Sequence, residues 1–580
     1  MNHKWYIANI LENDEDNDNL FKCSLKNGTD NKTKKKDVFF KMAPLLDPFK
    51  FLVGKYDMND SKLYQLPNLN STEENTHSKF IEPNNSAYVD GFFSFLSSTL
   101  IHKYNFIHGV DYYGSFLGIK NSFKLNVIDD LDYLCKSDYF NKNKNILFEI
   151  EDYEHLLDHE EDIVKTLAPI KIDHTSSNKS SLSIKSINDD IFEDMFISDN
   201  SFVSDIAAAA ETDHLTLGDL KDYSIDLVDI THSSELKAND NKTTTIKSGS
   251  SCSSRTSHTS NTSHNSDDHL DDQLNDAIDC ENCDKNENNR SEHKSDKDID
   301  DGSTTGSGTG SSNGSDEDDC SDYEDERLDA TLPKIPVQVI CMEHCENTFD
   351  ALIANEELSD KEWFSAFMQI IMILITYQKA FSFTHNDLHT NNVMYNTTDA
   401  KFIYYCYKKK YYKVPTYGRI FKIIDFGRGI YKYDGKIFCS DSFQIGADAA
   451  TQYNTEPFFN EKKPRLEPNY SFDLCRLACS IFDYVVDDMD DISDLTKCTP
   501  VAKLITEWCV DDTGLNILYK NTGAERYPDF KLYKMIARCV HNHTPQRQLD
   551  RPEFDSFSVD KNKIPKNETI VNIDNIPICC

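Results

Sequence analysis

An α+β fold, β-rich towards the amino terminus and mainly helical towards the carboxyl terminus, is expected for this 580-residue chain from three features. Residues 1–125 alternate short apolar runs with turn residues and include one helical stretch. Residues 331–557 combine 3.6-residue periodicity with paired strand-like runs. Between them the apolar patterning fades. Residues 231–330 hold 25 acids and 9 bases, a net −16 of the −38 carried by the whole chain, and their one aromatic residue is Tyr323. Such a segment buries too little apolar surface to offset its chain entropy, so 233–330 reads as a disordered acidic, serine-rich stretch, and 126–232 as an insertion that is partly ordered.

Composition excludes several classes. With 61 basic residues against 99 acidic ones, the bulk surface repels polyanions, and no direct nucleic-acid binding is expected. No run reaches about 18 apolar residues. The densest, 367–377, is interrupted by Gln369, so no transmembrane segment is expected. The first residues lack the apolar core of a secretory signal. Seventeen cysteines without a paired framework point to reduced thiols and a cytoplasmic protein. Cys280 and Cys283 form a single C-x-x-C, half of what zinc needs, and Cys579 and Cys580 read as free thiols.

Element by element, strands are expected at about 5–10 and 20–25, then at 37–41, where an apolar run ends in Lys41. A helix follows over 87–101, with Tyr88, Phe92, Phe95, Leu96 and Leu100 on one side, and a strand over 107–116. Residues 361–380 carry Trp363, Phe364, Phe367, Ile370, Ile371, Leu374 and Tyr377 at helical spacing. A lengthened hairpin is expected from 401–405 and 408–413.

The chemistry concentrates in His385-Asn386-Asp387-Leu388-His389-Thr390-Asn391-Asn392 and, 33 residues past Asn392, in Asp425-Phe426-Gly427. Phosphoryl transfer needs a carboxylate that orients an attacking hydroxyl and accepts its proton, a role open to Asp387. It also needs hard oxygen ligands for a divalent metal, which Asn392 and Asp425 supply. Catalysis is then mostly positioning and charge neutralisation.

Both loops, in this order and after an amphipathic helix, resemble the catalytic and metal-binding loops of the protein-kinase superfamily. The resemblance covers 335–557 well. It implies a bilobal fold: a small lobe from 1–125, completed by a fifth strand and hinge at 331–345, a helical lobe at 346–557, and a tail at 558–580. It implies ATP with magnesium or manganese as cofactors, and protein serine or threonine hydroxyls as acceptors. Asp387, His389 and Asn392 would be catalytic. Asn392 and Asp425 would hold metal, and Lys41 and Asp425 would engage the nucleotide. Met342 would be the gatekeeper, Glu343 and Cys345 would present backbone groups to adenine, and Met394 would line the pocket floor with Val393. Lys41 requires an acidic partner on helix 87–101, where Asp90 is the nearest candidate and Glu82 stands behind it. Asp473 would anchor the catalytic loop, and Arg551 would pair with Glu467.

The chain departs from the family's pattern in several places. No glycine precedes Gly28, and an acidic stretch, 11–19, replaces the Gly-rich phosphate loop. Asn386 replaces the usual arginine, which removes the reader of an activating phosphate. The Ala-Pro-Glu segment is absent. His389, the long hairpin and the 448–453 run are similar to the divergent kinases of large cytoplasmic DNA viruses, which implies a host-cytoplasmic or packaged protein whose acidic insert binds regulators. Two other readings stand beside a protein kinase: a small-molecule kinase of the aminoglycoside or choline type, and a pseudokinase scaffold.

Overall fold

Alternating apolar residues in the first 44 positions build three antiparallel strands: β1 (Trp5–Asn13), β2 (Leu20–Asn27) and β3 (Thr33–Pro44). The computed structural model describes residues 3–153 and 327–580, apart from 15, 16, 69, 73, 74, 487, 488, 490, 491 and 493. Short helices α1 (Pro48–Leu52) and α2 (Ser78–Ile81) lead into α3 (Ser86–Tyr104). Next come β4 (Tyr112–Asn126), α4 (Leu131–Cys135), α5 (Asp138–Asn143) and β5 (Glu149–Ile150).

The chain re-enters the described region at Arg327 and forms β6 (Asp329–Glu343), which pairs with β3 on one side and β4 on the other. The sheet runs β1-β2-β3-β6-β4, with β5 against the start of β6. Strands from both sides of the long insert therefore share one sheet. Its core gathers Phe40, Phe49, Phe51, Leu134, Phe140, Phe148 and Ile340.

A second core belongs to the helical part, which opens with β7 (Asn347–Thr348) and α6 (Phe349–Asn355). Its centre is α7 (Asp360–Phe381), started by a capping box in which Glu362 Oε2 accepts the Ser359 N–H at 3.0 Å. Among the described residues α7 alone is long and apolar enough to cross a membrane, yet 94% of its apolar window is buried inside the protein. The helix is longer than the apolar run expected at 367–377, and Gln369 lies within it, its side chain bonded to the strand backbone at Phe421 and Arg419.

Strands β8 (Val393–Thr397) and β11 (Arg419–Ile423) pair antiparallel, and the expected hairpin, β9 (Phe402–Tyr407) with β10 (Lys410–Pro415), sits between them in the chain. The hairpin β12 (Ile430–Tyr433) and β13 (Lys436–Cys439) follows. The helices α8 (Phe472–Val485), α9 (Pro500–Trp508), α10 (Phe530–Cys539), α11 (Pro545–Gln548) and α12 (Pro552–Asp555) complete the body.

Several expected boundaries move. The fourth strand begins at Tyr112 rather than 107 and continues to Asn126, because β6 offers it a partner along its whole length. Residues 127–153 are folded, with Val127, Leu131, Leu134 and Tyr153 buried. The disordered stretch expected over 233–330 overlaps the start of β6: Leu328, just before the strand, and Ala330, within it, are buried. The rest of that reading, up to residue 326, and the Cys280–Cys283 pair lie outside the described residues. The segment 558–580 is built into the fold: β14 (Ser558–Val559) pairs with β10, and β15 (Ile570–Asn572) pairs parallel with β9.

Candidate active site

The loop 385–392 is held from below by one buried carboxylate. Asp473, fully buried on the first turn of α8, accepts the backbone N–H of His385 through Oδ2 and that of Asn386 through Oδ1, each at 2.9 Å. Asn386 is left-handed, with φ of 65°, a conformation that asparagine tolerates better than most residues. Its amide donates to Thr384 O at 3.2 Å and Arg428 O at 2.9 Å, and its Oδ1 accepts the Tyr453 hydroxyl at 2.9 Å. Asn386 thus ties the loop to two later segments.

The loop then delivers its polar side chains. Asn392 Nδ2 donates to Asp387 O at 2.9 Å and meets His389 Nε2 at 3.0 Å, which leaves the amide oxygen as its remaining polar atom. The imidazole of His389 accepts there, so its proton belongs on Nδ1. Burial lowers its pKa to about 4, against the pull of Asp387, and keeps the ring neutral at pH 7.

The Asp425 loop is stitched to this one. Ile424 N donates to Asn392 O at 3.0 Å, and His385 Nε2 lies 2.9 Å from Ile424 O. Phe426 is buried against Phe93 and Phe383, with ring centroids 4.6 and 5.9 Å away. Burying an aromatic ring this fully is worth about 3 kcal/mol or more against its truncation. Asp425 itself is left-handed, with φ of 61°, and its side chain is 46% exposed.

Lys41 joins the sheet to this loop. Its Nζ lies 2.6 Å from Asp90 Oδ2 and 2.7 Å from Asp425 Oδ1. The other Asp90 oxygen accepts the Phe426 N–H at 3.1 Å, so Asp90 fixes both the lysine and the turn. Burial favours the neutral amine, but the two carboxylates prevail and keep Lys41 protonated well above its usual range. Burial acts on Asp425 in the opposite sense, and Lys41 outweighs it, so Asp425 is held below the usual carboxylate range. Glu82 instead ends α2 and accepts the Asn84 N–H.

Asp387 has close company. Its Oδ1 accepts the Tyr533 hydroxyl from α10 at 2.7 Å, and Oδ2 stands 3.9 Å from Arg428 Nε. Arg428 also pairs with Asp448 at 2.5 Å. Burial raises the Asp387 pKa, but the charges of Arg428, His389 and Arg476 and the Tyr533 hydroxyl bring it down to about 2.

The strand expected to form the hinge is more engaged than foreseen. Met342 is buried opposite Phe39 and Tyr112. Glu343 donates its N–H to Asp111 O at 2.8 Å, so that backbone group is already used. Its carboxylate is buried against Lys422 Nζ at 2.5 Å and accepts the Asp111 N–H at 3.1 Å. Cys345 is buried, and Met394 is half-buried in β8 opposite Lys422.

One expected pair is wrong. Arg551 binds Glu507 at 2.5 Å, at the end of α9. Glu467 is more than half exposed, and it is satisfied by Arg465 at 2.7 Å and by the Thr455 hydroxyl at 2.5 Å. An arginine two residues away meets the glutamate without crossing the fold.

Arg428, Tyr533, Arg476, Lys422 and Asp441 escaped the sequence reading. Arg428 directly follows Gly427 and Arg476 stands three residues past Asp473, which placed both near the chemistry; the other three carry no local pattern. No family model matches this chain, and no curated protein proved similar to it.

Proposed function

We propose that this chain is a divergent protein kinase of bilobal fold, transferring the γ-phosphoryl group of ATP to protein serine or threonine hydroxyls. The observation that carries the reading is Lys41 held between Asp90 and Asp425, with Asp425 stitched through Ile424 to the loop that bears Asp387 and Asn392. Phosphoryl transfer calls for a cation, hard oxygen donors and a carboxylate base, and these side chains offer them.

The residues fit a magnesium site of limited protein donation. Among the described residues no cluster of three His, Cys, Asp or Glu side chains converges. Asn392 keeps its amide oxygen and Asp425 one carboxylate oxygen, which suits a cation that retains water and phosphate oxygens. When bound, magnesium neutralises charge on the phosphates. Lys41 adds a fixed positive charge for the same phosphates. Asp387, ionised at any pH above about 3, orients the acceptor hydroxyl and takes its proton.

A non-catalytic scaffold is the second reading, favoured by the turn between β1 and β2. There Asn17 N donates to Asp14 Oδ1 at 3.1 Å and Asn19 N to Asn17 Oδ1 at 3.0 Å, so backbone donors that could cradle phosphate serve the turn itself.

Transfer of radiolabelled phosphate from ATP, with magnesium or manganese, tests both. The wild type is assayed beside Asp387→Asn and Asp425→Ala, with casein, a basic protein and the chain itself as acceptors. Label on seryl or threonyl residues that disappears in both variants is expected. Absence of label, with no ATP-dependent rise in melting temperature, transfers the conclusion to the scaffold.

A further inference from the structure

The hydroxyl nearest the proposed base belongs to the chain itself. Tyr533 Oη donates to Asp387 Oδ1 at 2.7 Å, the contact that an acceptor hydroxyl must make with a carboxylate that takes its proton. The ring is held in place from several sides. Phe530 stacks on it at 5.4 Å, Phe472 lies 6.1 Å away, and the residue is 5% exposed. The hydroxyl therefore stays at the base.

The surroundings are cationic. The Arg476 guanidinium lies 5.0 Å from the Tyr533 ring centroid and that of Arg428 lies 5.5 Å away. Arg428 is paired with Asp448. Arg476 differs: it is 2% exposed, and its Nε and Nη1 have no hydrogen-bond partner. Leaving two donors of a buried guanidinium unmade costs several kcal/mol in general. A phosphate ester on the neighbouring phenol carries the acceptor oxygens that such donors lack.

We propose that Tyr533 is an intramolecular phosphoryl acceptor, modified in cis by the site it fills. The inference rests on the kinase reading and extends its acceptors from serine and threonine hydroxyls to one phenol of the chain itself. The phenol oxygen forms a bond to the γ-phosphorus of a bound nucleoside triphosphate, and the bond from that phosphorus to the β,γ-bridging oxygen breaks. The nucleoside diphosphate leaves, and the phenol proton passes to Asp387. Arg476, with Arg428 beside it, then binds the ester. While the unmodified hydroxyl occupies Oδ1, another acceptor reaches that oxygen only by displacing the Tyr533 hydroxyl.

The test uses the full chain, dephosphorylated and then incubated with ATP and magnesium, with and without casein. Phosphate is located by peptide mass spectrometry. One phosphate per chain on Tyr533 is expected, with a first-order rate unchanged on tenfold dilution of the protein and abolished in Asp387→Asn. Tyr533→Phe keeps the ring and should lose this phosphate while melting within a few degrees of the wild type. Label on casein with Tyr533 unmodified overturns the proposal and leaves the kinase reading standing. A rate on Tyr533 that falls tenfold on dilution overturns the cis assignment. Absence of phosphate on Tyr533 and on casein alike overturns both.

Discussion

Asp441 Oδ2 lies 2.5 Å from Lys79 Nζ, so a carboxylate downstream of the Asp425 loop is bonded to the residue that opens the approach to α3. Oδ1 of the same group accepts the N–H of Ser86, the first residue of α3, at 2.9 Å. Asp441 N donates to Asn84 O at 2.7 Å, and Cys439 N to Asn84 Oδ1 at 3.2 Å. A negative charge at a helix start is favourable, and here it also sets the helix in place. About one turn further along, α3 presents Asp90 to Lys41.

From this clamp, Asp441→Ala is expected to lower phosphoryl transfer about tenfold, the scale of 1–2 kcal/mol of coupling between neighbouring sites. The loss should appear chiefly in KM for ATP, because Lys41 is the group displaced. Asp441→Glu, which keeps the charge, should recover most of it. Steady-state kinetics with a parallel melting curve make the check, and unchanged kinetics in Asp441→Ala rule out the clamp.

Asp473 offers a test on stability. Its carboxylate serves two buried backbone N–H groups, and Asp473→Ala leaves both without a partner. Each unmade buried bond costs about 1–3 kcal/mol. A loss of roughly 3–5 kcal/mol in urea unfolding is expected, about half of it restored in Asp473→Asn, which keeps one acceptor oxygen.

Residues carried by the two short loops, 385–392 and 425–427, were the legible part of this site. Asp387, Asn392 and Asp425 stand at short, fixed intervals from apolar elements, and those elements formed within a few residues of their expected bounds. Asp90, 49 residues from Lys41, came into view only through the resemblance, which asks for an acid, usually glutamate, on helix 87–101. Contacts made by tertiary packing were not legible. Tyr533 reaches Asp387 across 146 residues from an amphipathic helix whose pattern distinguishes no tyrosine from another core residue. Helices α4 and α5, of five and six residues, are too short for a 3.6-residue period to register. Strand β15 is three residues in an otherwise polar stretch, and a partner strand rather than its own sequence makes it a strand.

Buried histidines set a pH dependence. Burial lowers the pKa of His108 to about 3 and that of His389 to about 4, against an unfolded value near 6.5. Between these values the unfolded chain binds the protons that the folded one refuses, so stability falls as pH drops below about 6.5. Each histidine should cost about 1–2 kcal/mol by pH 5. Asp387 acts later. Its pKa is depressed to about 2, so its contribution is intact above about 4 and is lost only as pH falls towards 2. Denaturant midpoints between pH 4 and 8 should therefore decline on the acid side, and His108→Gln should flatten part of that decline.

The carboxyl-terminal segment provides the last test. Lys408 and Lys409, with φ of 49° and 62°, form the two-residue turn of the β9–β10 hairpin, a conformation costly for side-chain-bearing residues. Asp574 compensates by accepting both of their N–H groups, at 2.7 Å for Lys408 and 2.8 Å for Lys409. The same segment supplies β15 along β9, and Lys379 Nζ donates to Ile573 O at 2.6 Å, which connects the hairpin to the buried helix α7. Asp574→Ala should then destabilise the protein by about 1–2 kcal/mol, since hydrogen bonds to a charged group are the stronger kind and these are partly exposed. Replacing Lys409 by glycine, which adopts positive φ without strain, should recover part of that loss in the Asp574→Ala background. Chemical denaturation of the two single variants and the double variant gives the coupling directly, and strict additivity would mean that Asp574 does not act through the turn.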